Sequence, residues 1–253
     1  LAKKYYVVWK GRKSGIYTDW TQCKAQVDGF QGAKFKSFPT LGEAEAAYGG
    51  KASATSSKAA TATKIAKPKS AALTQTQITE MPFDIKIFTD GGCEPNPGEA
   101  GTGLAVYKNN ALSELWYGLY QAVGTNNTAE LHGLYQAFII AKEKLAQGLS
   151  VAIYCDSRYS IDCVTKWASG WESKGWKKAG GEIKNLDIIQ PAYALYQTLK
   201  SHITVYHVNG HVGIEGNELA DRMSILAIER KDEALNLYRE TTDINEILAL
   251  RRG

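Results

Sequence analysis

The chain has 253 residues, 44% hydrophobic and 22% charged, which suits one large folded domain or two modest ones. No apolar run approaches the roughly 20 residues that span a bilayer. The first residues, LAKKYYVVWKGRK, lack a signal-peptide core, and the four cysteines show neither CxxC nor metal-finger spacing, so reduced thiols in a cytoplasmic protein are expected. The formal net charge of +4 is unevenly spread: residues 1–48 hold eight Lys/Arg against four Asp/Glu, residues 49–79 hold five Lys and no acid, and the remainder sums to −5.

A basic front ahead of an acidic body fits a nucleic-acid-binding module joined to something that gathers carboxylates. Residues 1–48 read as a small α/β module. Strands are expected at Tyr5–Trp9, Ile16–Trp20 and Ala33–Phe38, with helices at Thr21–Val27 and Leu41–Tyr48 capped by Thr21 and Thr40. Nine of the chain's 26 aromatics lie here, interleaved with Lys10, Arg12, Lys13, Lys34 and Lys36. That is the composition of a stacking-plus-phosphate surface, though a plain solvated basic face fits it as well. Residues 49–80 have no aromatic and are dominated by Ala, Ser, Thr and Lys, so they read as a flexible basic linker.

Residues 81–229 read as a single α/β domain. Alternation over Phe83–Phe88 predicts a strand that ends at Asp90, where Gly91, Gly92, Pro95, Pro97 and Gly98 act as breakers. Gly103–Val123 reads as two strands turning at Lys108–Asn110. Thr128–Gly148 is a long helix with an inward stripe of Leu134, Phe138, Ala141 and Leu145, and Glu130 lies in line with it at the first turn. Ser150–Asp156 is a buried strand, Ser157–Trp171 is helical, His202–His211 is the last strand and Ile214–Arg230 the last helix. The first three strands form a meander in a mixed sheet. Residues 230–253 have helical periodicity and a basic end, and no chemistry attaches to them.

Four carboxylates sit at element boundaries: Asp90, Glu130, Asp156, and Asp221 ten residues after His211. Alone, each would be a cap or a solvated charge. Converging on one sheet edge they would repel one another unless cations neutralised them. Oxygen ligands select a hard ion, Mg²⁺ with Mn²⁺ able to substitute. Two such ions about 4 Å apart suit phosphodiester cleavage.

The segments TDGGCEPNPG, GTNNTAEL, YCDSRYSI, KWASGWESKGWKK and NGHVGIEGNELAD, in this order over residues 83–225, closely resemble the catalytic domain of type 1 ribonuclease H. Residues 5–48 resemble the hybrid-binding domain that precedes it in many members. The resemblance implies a ribonuclease H-like α/β fold, with a mixed five-stranded sheet and flanking helices, plus a small N-terminal α/β hybrid-binding module. It implies endonucleolytic cleavage of the RNA strand of RNA/DNA hybrids by two metal ions, leaving 5′-phosphate and 3′-hydroxyl ends. Asp90 would bridge the ions, Asp221 would hold the ion carrying the attacking water, and Glu130 and Asp156 would bind the second. His211 would transfer a proton or aid product release.

The same resemblance gives Asn96, Asn126 and Asn127 base-edge contacts, and Thr125 and Asn185 a DNA phosphate. A basic protrusion carrying Trp171, Lys177 and Lys178 would grip the DNA strand, with Trp171 nearest to it; Trp167 and Trp176 could equally be core. In the front module the matching positions are Tyr6, Trp20, Phe35 and Lys36. Ser37, Arg158, Glu172 and Ser173 depart from the family pattern. No membrane and no protein partner is implied, and the catalytic domain is expected to be monomeric. The alternatives left open are a related carboxylate-dependent nuclease and a hybrid-binding protein with an inactive nuclease domain.

Overall fold

The structure is a computed structural model. It describes residues 4–30, 32–38, 40–48, 73–178, 180–210 and 212–253, so His211 and most of the expected linker lie outside the described residues. The chain divides into two compact units, residues 1–65 and 66–253.

The first unit is an antiparallel sheet of order β2-β1-β3, built from β1 (Tyr5–Lys10), β2 (Gly15–Tyr17) and β3 (Lys34–Phe38), with helices α1 (Trp20–Val27) and α2 (Leu41–Tyr48). Its core is small: Val7, Val8, Cys23, Val27 and Ala44. Thr40 caps α2 as expected, its Oγ1 accepting from the Glu43 N–H. α1 is capped two residues earlier than expected, by Asp19 in place of Thr21. Asp19 Oδ1 accepts from the N–H groups of Thr21 and Gln22, which draws Trp20 out of the expected strand and into the helix.

The second unit begins earlier than expected, with α3 (Gln75–Glu80) inside the segment read as linker. Thr74 and Gln77 form a capping box, and Ile78 is fully buried in the core. The reason is Lys86, which strand alternation placed on the less buried face. It is 2% exposed, and its Nζ donates to Ile78 O, Thr79 O and Asn110 Oδ1 at 2.5, 2.9 and 2.6 Å. A buried ammonium must be fully hydrogen-bonded, and α3 supplies two of the three acceptors.

Six strands follow the order β8-β7-β4-β5-β6-β9, made of β4 (Ile85–Glu94), β5 (Gly98–Lys108), β6 (Ala111–Gly124), β7 (Val151–Cys155), β8 (Ile203–His207) and β9 (Asn236–Leu237). The sheet therefore has one more strand than the five expected, and the sixth comes from the segment read as a helical tail. β4–β5–β6 is the antiparallel meander, turning through Asn109 and Asn110, both at positive φ; β7 and β8 add in parallel.

Alternate residues feed two core layers. Ile85, Ile87, Val151 and Ile153 face α4 (Asn126–Ala146) and α7 (Leu186–Leu199). Phe88, Ala152 and Tyr154 face α8 (Glu215–Arg230), α3 and the short α9 (Ile244–Leu248). Between β7 and α7 the chain runs through α5 (Arg158–Asp162), a π-helical turn at Cys163–Trp167, and α6 (Ala168–Glu172).

β4 does not stop at Asp90. It stays paired with β5 as far as Glu94↔Glu99, while its parallel pairing with β7 ends at Thr89↔Cys155. Gly91 is there for close approach, not for breaking the strand: a Cβ at this position would lie 2.4 Å from the backbone N of Glu130. Asp90 thus emerges where one neighbouring strand ends and the other continues, with α4 pressed against the next residue.

Candidate active site

Four elements deliver the four carboxylates to one cleft of about 400 Å³, lined by Asp90, Glu130, Asp156 and Asp221. Asp90 comes from β4. Glu130 comes from the second turn of α4, whose capping box at Thr125 and Thr128 fixes the helix start. Asp156 follows the last residue of β7, and Asp221 lies on α8.

Asp90 and Asp221 are 6% and 5% exposed. Burial pushes the Asp90 carboxyl well above the usual carboxylate range, and the Asp156 and Asp221 charges push it further. Glu130 is raised for the same reasons, with burial first and the charges of Asp90 and Asp156 after it. Protein donors offset part of this crowding. The Gly91 N–H donates to Asp90 Oδ1 at 2.7 Å, and Arg222 Nη1 donates to Asp221 Oδ2.

Two residues without an expected role stand inside the cluster. Asn217 is buried, and its Nδ2 donates to Asp90 Oδ2 at 3.5 Å and to Asp156 Oδ2 at 3.3 Å, bridging carboxylates from different strands. Its Oδ1 has no hydrogen-bond partner among the described residues. The signal was available: Asn217 precedes Asp221 by four residues, which puts both on one face of α8. The second is Cys155, whose Sγ is 3.8 Å from Glu130 Oε2 and whose thiol is pushed well up by burial and by Glu130 and Asp156. Ligand atoms of Glu130, Cys155 and Asp156 all lie within 4.8 Å of one another.

The loop amides lie near this cleft. Asn96 Oδ1 accepts from the Asn126 N–H at 3.4 Å, and Asn126 lines the cleft. Asn127 is exposed beside it at the start of α4. Thr125 spends its hydroxyl on the helix cap, accepting from the Thr128 N–H at 3.1 Å. Asn185 sits in the left-handed region at the start of α7 and donates to the Tyr159 hydroxyl. Arg158 donates to His207 Nδ1 at 3.1 Å, and Glu172 accepts from the Tyr193 hydroxyl, so both departures have protein partners.

In the protrusion, Lys177 and Lys178 are exposed. Trp171, expected nearest the nucleic acid, is half-buried and packs against the core, as does Trp176. Trp167 is the outward ring, 43% exposed and 5.9 Å from the Trp171 ring. Trp167 closes the π-helical turn, which inserts one residue into the helical register.

In the first unit the structure gathers three of the four predicted residues. Trp20 lies between Tyr6 and Phe35, with ring centroids 5.4 and 5.8 Å away. Trp20 is 45% and Phe35 43% exposed, so the three form an open aromatic patch. Lys36 belongs to the other face of β3: it pairs across with Val7, whereas Phe35 pairs with Val8, and its Nζ lies over the Phe38 ring.

Comparison with known proteins adds the following. The family model described as RNase H matches residues 82–229, and the one described as Ribonuclease H1 N-terminal domain matches residues 4–48. Ribonuclease H1 of Rattus norvegicus is 31% identical, over 87% of this chain and 87% of its own length. Ribonuclease H of Methylorubrum extorquens is 37% identical over 57% of this chain, a match that spans 60% of that protein. Among solved structures, LC9-RNase H1, described as a type 1 RNase H with the type 2 active-site motif, superposes with a TM-score of 0.52 at 24% identity, covering 65% of this chain and 80% of its own.

Proposed function

The chain belongs to the ribonuclease H1 family and is a ribonuclease H. From that premise we propose that it cuts the RNA strand of RNA/DNA hybrids internally, with Mg²⁺ held by Asp90, Glu130, Asp156 and Asp221, leaving 5′-phosphate and 3′-hydroxyl ends. The observation that carries this reading is the meeting of four carboxylates from β4, α4, β7 and α8 in one cleft.

The donor set fits a divalent ion. Burial and mutual repulsion hold Asp90 and Glu130 against ionisation, and a dication reverses that balance. The oxygens favour a hard ion, and the raised thiol of Cys155 stays protonated and competes poorly as a ligand. When bound, such ions supply a water acidic enough to attack phosphorus and neutralise the leaving oxygen. The chain's own residues hold the geometry. Asn217 ties Asp90 to Asp156, and Gly91 orients Asp90 with its N–H. Asn96, Asn126 and Asn127 stand at the cleft edge, where base edges and 2′-hydroxyls of a hybrid would pass.

Residues 4–48 are proposed to bind the hybrid through the Tyr6–Trp20–Phe35 patch, with Lys36 adding charge from the edge strand. Residues 49–72 are proposed as the tether, and His211 as the proton-transfer or product-release group. The four free thiols support a reducing, cytoplasmic setting. The test is cleavage of an end-labelled hybrid in Mg²⁺ followed by end-group analysis. Internal cuts with 5′-phosphates are expected. 5′-hydroxyl ends, or undiminished cutting in excess chelator, would refute the mechanism.

A further inference from the structure

The residues after α9 run back into the cleft. Ile247 is fully buried in the core layer shared with α8, and Arg222 Nε donates to Leu248 O at 3.3 Å, so the approach is anchored. Beyond it, Arg251 pairs with Glu94 and lies 3.7 Å from Glu229. Arg251, Arg252 and Gly253 then line the same cleft as the four carboxylates.

The contact at the end of this run is specific. The Gly253 N–H donates to Asp221 Oδ1 at 3.2 Å and to Oδ2 at 3.3 Å. A donor nearly equidistant from both oxygens lies on the plane that bisects the carboxylate, a plane that a chelated cation also occupies. A Cβ at 253 would lie 2.9 Å from Asp221 Oδ1 and 3.3 Å from Ile225 Cδ1, so a larger residue would crowd this approach. Arg222 already donates to Oδ2, so Gly253 adds to the donors crowding the same lone pairs.

We propose that Arg251–Gly253 is a strap that competes with the divalent ion for Asp221, and that ion binding lifts it. The proposal rests on the reading of Asp221 as a metal ligand. The strap's fastenings are light: a shared N–H and surface ion pairs, of a kind individually worth little. It can therefore be seated most of the time and still open readily. A strap seated nine-tenths of the time weakens apparent ion affinity about tenfold. Because opening frees Arg251 from Glu94, the same movement releases a guanidinium at the cleft rim.

The test is Mn²⁺ binding by calorimetry, without nucleic acid, for the full chain, for Gly253→Ala, for Arg251→Ala and for a chain ended after Leu250. The strap predicts apparent Mn²⁺ affinity about three- to tenfold tighter in the shortened chain and in Gly253→Ala, with a smaller shift of the same sign in Arg251→Ala. The Mg²⁺ midpoint for hybrid cleavage should fall in parallel. Unchanged affinity in the shortened chain would overturn the proposal. Weaker affinity there would also overturn it, because it would mean that the Gly253 N–H holds Asp221 in place for the ion. Failure to cut hybrids alongside tightened Mn²⁺ binding would refute the proposed function and leave the strap standing.

Discussion

The two units handle charge and aromatic surface in opposite ways. The first, with a core of a few small side chains, turns Trp20 and Phe35 outward and keeps its described lysines on the surface. The second draws Lys86, Asp90, Asp221 and Arg222 inward, and of its described aromatics only Trp167 is exposed. An exposed ring can stack on any nucleotide and an exposed lysine can meet any phosphate, so the first unit is built for binding without chemistry. Buried carboxylates bind no nucleic acid by themselves, and crowding them costs stability, so the second unit is built for a reaction at one point. If this comparison holds, substitutions in the second unit should strike turnover or stability, and those in the first should strike affinity alone.

The largest expected effect is at Asp90. Asp90→Asn should lower hybrid cleavage by more than a hundredfold, about 3 kcal/mol of transition-state stabilisation, with hybrid binding nearly intact. Activity within tenfold of the parent would remove Asp90 from the centre of the site. Next is Gly91→Ala, whose Cβ meets the backbone N of Glu130 at 2.4 Å. Overpacking of this kind costs about 1–3 kcal/mol, and urea unfolding should show it together with a fall in kcat. An unchanged midpoint would mean that α4 can retreat freely.

Trp20→Ala should cost about 1–3 kcal/mol in hybrid affinity and leave kcat on a short saturating hybrid untouched. Stability as a function of pH comes next. Asp90 and Glu130 have folded-state pKa values raised above their unfolded ones. Unfolding therefore releases protons, and their contribution is fully present below the ordinary carboxylate range and lost as pH rises through the raised values. In chelator, the melting temperature should fall over that window, and Mg²⁺ should flatten the decline. A rise with pH in chelator would contradict the burial argument. The smallest effect belongs to Lys36→Ala, which should reduce the salt slope of hybrid binding by about one unit.

Much of the second unit was legible because its signals are local. The α4 stripe, the Asn109–Asn110 hairpin and the carboxylates beside turns follow from periodicity and punctuation. Distant causes were not legible. Gly91 and Gly92 look like breakers until two helices are known to press on them, so β4 read four residues too short. The acceptors of Lys86 lie in a segment whose composition suggests no fold. Nothing in the sequence marks the π-helical turn at Cys163–Trp167, or that Trp167 is exposed while Trp171 is half-buried. The tail's apolar residues announced a helix, but nothing in their spacing marks Ile247 as an anchor that brings Gly253 to Asp221. In the first unit, alternation along β3 alone would have separated Lys36 from Phe35.

The division between a binding unit and a cutting unit is tested most directly by steady-state kinetics of residues 73–253 beside the full chain, on short and long hybrids across a salt series. That boundary keeps α3 and its acceptors for Lys86. The account predicts equal kcat on a short saturating hybrid, and a KM on long hybrids that rises for the shortened chain, most steeply at low salt. A loss of kcat on the short hybrid at saturation would contradict it, because the first unit would then be part of the catalytic apparatus.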